Sequence, residues 1–204
     1  MGRRMAIQTR TVRLFRNDLL ERVSRVHPLT PVLLWVPVVT WLVWRSIVVD
    51  RLQFAMLAWL AAAGLVGWTL TEYLVHRFVF HLRPRSLLGR RLVFIVHGVH
   101  HERPHDPTRL LMPPAPAIIG SVLLYAFFWA LLGHPWVEPF FAFFLIGYLS
   151  YDYIHLAVHH GRPRTRLGRF LRRWHMLHHF VTPEARWGVS SPLWDHLFRT
   201  TARN

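Results

Sequence analysis

Residues 52–81 read "LQFAMLAWLAAAGLVGWTLTEYLVHRFVFH". Positions 52–75 form an apolar stretch long enough to cross a bilayer, for which ~20 helical residues suffice. The chain then runs straight into His76 and His81. A span that ends in histidine delivers imidazole to the membrane boundary. Three more apolar segments, 29–49, 115–132 and 137–154, qualify as spans, although the last two are on the short side. "GHPWVEP" (133–139) joins those two as a tight hairpin. Arg45, near the far end of the first span, can snorkel to the interface.

Composition points the same way. The chain is 52% hydrophobic yet carries a formal charge of +15, and all 25 basic residues are arginine. Apolar spans facing lipid and arginine in the loops reconcile those two facts. A nucleic-acid partner is excluded, because the long apolar runs come with no zinc-finger or RNA-recognition signature. Cysteine is absent, so any metal must be held by imidazole or oxygen. About thirty mostly polar residues precede the first span, a longer lead-in than a cleaved signal peptide has. Within the basic segment 1–28, Val12, Phe15, Leu19, Val23 and Val26 recur at helical spacing with Arg13, Arg16, Arg22 and Arg25 between them. That pattern predicts an amphipathic helix, lying either on the membrane surface or against its own protein.

Eleven of the fifteen histidines fall in four clusters, at 76–81, 97–101, 155–160 and 175–179. With four spans, all four clusters emerge on the side of the N-terminus; with three or five they would not. Seven arginines precede the first span, seven lie between His76 and Pro114, and nine follow His155. Only Arg45 and Arg51 fall near the opposite side, so the positive-inside rule makes the histidine side cytoplasmic. The expected fold is all-α: an integral membrane bundle of four transmembrane helices under a cytoplasmic, histidine-rich dimetal cap.

Residues three and four apart share a helix face. His97, His100 and His101 therefore present their rings together, as do His175, His178 and His179, and His155 stacks over His159. His160 lies about 140° round from His155 and is left out. His76 and His81 have the same awkward five-residue separation, which a fraying or bending of the helix before Arg83–Pro84 would relieve. Ten rings shared by two ions give five each, more than the closed tetrahedron of structural zinc. Imidazole suits zinc, copper, iron and nickel alike, and a nitrogen-rich shell with an open position favours two irons handling O2. Zinc binds such ligands more tightly, so purified protein can carry zinc. Asp152 precedes His155 by three residues, Glu72 precedes His76 by four, and Asp195 follows the last cluster. Each is placed to accept a ring N–H or to pair with an arginine.

The order H-x4-H, H-x2-H-H, H-x3-H, H-x2-H-H among apolar spans resembles the fatty acid hydroxylase/sterol desaturase superfamily. Within it, "EYLVHRFVFHL" (72–82), "HGVHHERPHDPTRLLMPP" (97–114), "GYLSYDYIHLAVHH" (147–160) and "GVSSPLWDHLFRT" (188–200) are most similar to the fatty acid 2-hydroxylase branch. The likeness covers about 68–200 and makes 29–204 the hydroxylase-like membrane domain. It implies a membrane monooxygenase that uses a dimetal centre, O2 and external electrons to hydroxylate C2 of a fatty acid or sphingolipid acyl chain. The ligands it implies are His76, His81, His97, His100, His101, His155, His159, His175, His178 and His179.

Tyr148, Tyr151 and Asp152 point toward that site and are candidates to line the path of a lipid tail entering between the helices. Tyr151 and Asp152 are the candidate catalytic residues, unless the tyrosines are interface aromatics. Eukaryotic members of the branch often carry a fused haem domain. With about thirty residues before the first span, this chain is expected to use a separate ferredoxin, haem protein or reductase, drawn by the arginine-rich face. Arginine in place of all lysine suggests a bacterial inner membrane. Other lipids (sterols, carotenoids) or desaturation would use the same ligands. A non-catalytic metal carrier would instead place its ligands near mid-membrane.

Overall fold

A computed structural model describes residues 12–202. Among the described residues there are nine α-helices and no strand. They are α1 Asp18–Val23, α2 Thr30–Trp44, α3 Phe54–Val75, α4 Leu87–Val93, α5 Val99–Glu102, α6 Pro114–Leu132, α7 Val137–His160, α8 Arg166–Phe180 and α9 Leu193–Leu197. Proline opens α2 and α6 in the first turn, where a missing N–H costs nothing. Gly133, at a φ of 67°, ends α6 in a conformation that side chains rarely adopt.

Among the described residues four helical segments are long and apolar enough to cross a membrane: Thr30–Val49, Phe54–Phe80, Pro114–Leu132 and Val137–His160. The last runs six residues past the end expected from the sequence, because its histidines continue the helix into the cap. α7 is the central column, packed against α2, α3 and α6. Two glycines let it close on α3. A Cβ at Gly64 would stand 2.2 Å from the Phe140 carbonyl oxygen, and one at Gly147 would stand 2.6 Å from the Trp68 Cβ. Small residues at such crossings allow the backbone approach that replaces a hydrophobic driving force in lipid. Trp41, Trp59, Val122 and Phe127 point outward from the bundle and are exposed, as lipid-facing residues are.

The N-terminal helix is shorter than its periodicity predicts, since only Asp18–Val23 is helical. Asn17 caps it by accepting the Leu19 and Leu20 N–H groups. Buried Glu21 accepts the Leu14 and Phe15 N–H groups and pairs with Arg25 and Arg109, turning residues 12–16 back across the helix. Residues 1–11 of the basic segment lie outside the described residues. Val26 is buried with Leu110 and Leu111, while Leu19, Leu20 and Val23 stay exposed. The helix thus has an anchor on its own protein and an outer apolar edge.

His81 does not reach the site by fraying. α3 continues as a π-helical turn, His76–Phe80, closed by the His81 N–H donating to the His76 carbonyl. Widening to an i→i+5 bond aligns residues five apart, which an α-helix cannot do. A second π-helical turn, Phe94–Gly98, carries His97.

Candidate metal centre

The ten histidines meet in one cap as two groups of five. His76, His81, His97, His101 and His178 form the first group; His100, His155, His159, His175 and His179 form the second. Within each group, one ring nitrogen per residue lies within 4.8 Å of all the others. Each H-x2-H-H motif divides between the groups. Residues four apart stay together, His97 with His101 and His175 with His179. The intervening His100 and His178, about 100° round the helix from the last member, cross to the other group. His160 is exposed and belongs to neither.

The nitrogen spacing is not that of a hydrogen-bond network. His175 Nε2 lies 2.9 Å from the Nε2 atoms of both His155 and His159, and 3.0 Å from that of His179. One imidazole nitrogen offers either one N–H or one lone pair, so it cannot satisfy three neighbours. Two nitrogens bound at ~2.1 Å to one ion at a right angle stand ~3 Å apart, which is this spacing. The first group repeats it, with His97 Nε2 at 3.1 Å from His76 Nε2 and 3.0 Å from His101 Nε2. The residues fit a metal ion in each group.

Burial keeps the rings in the neutral form that a metal needs. Desolvation, then repulsion from His178 and other neighbours, lowers His81 and His101 to about 3. Desolvation holds His178 near 4 against a backbone hydrogen bond that favours its charged form. His97, His100 and His175, fully enclosed, lie well below the ordinary histidine value for the same reason.

Ring orientation in the first group comes from an irregular segment near the C-terminus. His76 Nδ1 donates to the Trp187 carbonyl and His178 Nδ1 to the Ala185 carbonyl, leaving Nε2 free on both rings. Two buried carboxylates clamp that segment. Asp195 of α9 accepts the Trp187 N–H at 2.9 Å, the Gly188 N–H at 2.8 Å and the Thr200 hydroxyl at 2.7 Å. Glu72 of α3 accepts the Val189 and Ser190 N–H groups and the Ser190 hydroxyl. Gly188 is required at this turn, since a Cβ there would lie 2.0 Å from the Ser191 carbonyl oxygen.

These contacts differ from the expected ones. Glu72 and Asp195 orient backbone rather than rings, and among the described residues Asp195 pairs with no arginine. Asp152 receives no ring N–H: its buried Oδ2 has no hydrogen-bond partner, nor have Nδ1 of His155 and His159.

Asp152 instead lines a cavity of about 500 Å³ between α3, α6 and α7. At its cap end the walls are His76, His97, Glu72, Tyr148, Tyr151 and Asp152; deeper in the membrane layer they are Gly120, Leu123, Leu124, Phe144 and Leu145. Only the first histidine group touches it, although the Tyr151 ring also lies against His155 of the second, 5.4 Å between centroids. The cavity is lined by Tyr148, Tyr151 and Asp152, the residues the sequence placed on the substrate path, whereas the orienting segment 185–190 escaped the sequence reading. "GVSSPLWDHLF" carried the one signal for the segment, an acid three residues after proline in an otherwise apolar run.

Residues 61–200 match the fatty acid hydroxylase family. The chain is 33% identical to a fatty acid 2-hydroxylase of Rattus norvegicus, over 94% of its own length and 57% of that protein's. It thus spans little more than half of that relative. A dihydroceramide fatty acyl 2-hydroxylase of Arabidopsis thaliana is 34% identical over 92% of this chain and 79% of its own. Among solved structures, full-length scs7p, with only its hydroxylase domain visible, superposes with a TM-score of 0.85 at 32% identity, covering 91% of this chain and 70% of that one.

Proposed function

The chain belongs to the fatty acid hydroxylase family, and on that premise we propose that it hydroxylates C2 of a fatty acid or sphingolipid acyl chain. The observation that carries the reading is the meeting of one five-histidine group, through His76 and His97, with an apolar, membrane-level cavity, beside a second group of five. The proposed ligands are the five and five described above, and the proposed metals are two irons. The same rings bind zinc more tightly, so zinc is expected in protein from ordinary medium. When bound, the metal pair supplies the activation of O2 by two external electrons. The balance is one C–H bond, O2, two electrons and two protons giving C–OH and water.

The chain's own residues supply position and dryness. An acyl tail lying along Leu123, Leu124, Phe144 and Leu145 leaves its polar end beside the cap. There the Tyr151 hydroxyl and Asp152 Oδ2, which is free of other partners, hydrogen-bond the head so that C2 faces His76 and His97. The apolar wall keeps water from the reacting carbon. The cap is proposed to be cytoplasmic, where 23 of the 25 arginines lie on the sequence count, and to take electrons from a separate acidic donor.

Expression in a host without lipid hydroxylases, followed by mass spectrometry of total lipids, tests this reading. The expected product is a lipid heavier by one oxygen at C2, absent with the H100A/H178A double variant. Loss of two hydrogens would make the enzyme a desaturase, and no change with metal and reductant supplied would overturn the reading.

Gly120 gives a finer test of where the tail lies. A Cβ there meets nothing within 4 Å, so a large side chain would project into the cavity. Each methylene denied its place forfeits ~0.8 kcal/mol. Excluding three should shift kcat/KM toward shorter chains by roughly fifty-fold in Gly120→Phe. Competition between acyl chains of two lengths measures it.

A further inference from the structure

A second polar cluster lies at the opposite end of the bundle. Asp50 follows the π-helical turn Arg45–Val49 that extends α2; His134 and Glu138 belong to the α6–α7 hairpin. The 22 residues of α3, ~33 Å of helix, separate this corner from the histidine cap. His134 Nε2 is 3.3 Å from Asp50 Oδ1, and its Nδ1 is 3.2 Å from Glu138 Oε1. A neutral imidazole has one N–H, so it can serve one of these carboxylates while turning a lone pair to the other.

The remaining charge is poorly met. The Asp50 and Glu138 side chains are 7% and 4% exposed, and Asp50 Oδ2 and Glu138 Oε2 are buried without a hydrogen bond. Arg45 Nε is the nearest arginine nitrogen, 3.9 Å from Asp50 and 3.8 Å from Glu138, and it makes no hydrogen bond either. Two buried carboxylates facing one guanidinium leave a negative charge over, which a second cation, either an imidazolium or a metal ion, would offset. Ligand atoms of Asp50, His134 and Glu138 lie within 4.8 Å of one another, in the same kind of cluster as the two histidine groups.

We infer that Asp50, His134 and Glu138 form a separate site for a divalent cation that fastens the α2–α3 corner to the α6–α7 hairpin. Two carboxylate oxygens and an imidazole nitrogen are a donor set that zinc accepts, and the half-exposed His134 leaves a position open to water. Arg45 is then a like charge that weakens the site rather than completing it.

Zinc counting on the full chain in detergent tests this without reading hydroxylation. After loading with excess Zn2+ and desalting, wild type is expected to retain one equivalent more than D50N/E138Q. Added Zn2+ is expected to raise the melting temperature of wild type by more than that of the variant, in which only the histidine cap still binds zinc. Arg45→Gln is expected to keep the extra equivalent and fill it at several-fold lower Zn2+. Should D50N/E138Q fail to fold, His134→Ala, which removes a half-exposed ring, must lose the same equivalent. Equal zinc in wild type and His134→Ala, or an Arg45→Gln protein that melts earlier with unchanged zinc uptake, would show a plain ion-pair cluster and overturn the inference.

Discussion

Replacing His175 by alanine is expected to remove one firmly held metal equivalent and to abolish lipid hydroxylation. The ring is fully buried, and its Nε2 is the point on which the second group converges, with His155, His159 and His179 all within 3.0 Å. Its loss leaves four rings around a gap on one side. Activation by a metal is worth several kcal/mol, so its loss should lower the rate by roughly 10³-fold or more. The first group has its own five ligands and should keep its ion. The control is His160→Ala, a neighbouring ring that is exposed and belongs to neither group. Elemental analysis of EDTA-washed protein and the lipid assay together decide it. Two firmly held equivalents retained in His175→Ala, or loss of one in His160→Ala, would show the grouping to be wrong.

What could be read in the sequence was what depends on neighbours along the chain. Four apolar segments are visible one by one, and their number alone sends His76, His97, His155 and His175 to one side. The three- and four-residue spacing of the histidines identifies shared faces without any tertiary knowledge. It does not tell that each H-x2-H-H motif straddles both groups, because that depends on where the partner helices stand. The π-helical turn at His76–Phe80 was hidden for a related reason. No residue type marks an i→i+5 bond, and the demand that His81 reach the cap comes from the fold. Glu72 and Asp152 were assigned to rings by helical register, but register fixes only direction. Glu72 faces a backbone segment more than a hundred positions away, and Asp152 faces the cavity. The Asp50–His134–Glu138 corner joins two loops that no local pattern connects.

Asp195→Ala should disable the first histidine group without touching any of its rings. The carboxylate is fully buried and takes three hydrogen bonds, from the Trp187 and Gly188 N–H groups and the Thr200 hydroxyl. Without it two buried N–H groups lose their partner, at ~1–3 kcal/mol each. The 187–188 turn is then free to shift, and the Trp187 carbonyl that fixes His76 moves with it. A metal whose orienting partners are lost typically binds 10–100-fold more weakly. That is the loss expected for the first group alone, since no carbonyl of this segment contacts a ring of the second. Glu72 still holds residues 189 and 190 from the other side, so the segment should loosen rather than unfold. Asp195→Asn keeps one acceptor oxygen but turns an amide toward a donor, and should fall between wild type and alanine. Stepwise chelation, counting how many ions leave at each EDTA concentration, separates the groups. The alanine variant should release its first ion at 10–100-fold lower chelator and its second at the wild-type concentration. Simultaneous early release of both would mean that Asp195 supports the whole cap and not the first group through His76.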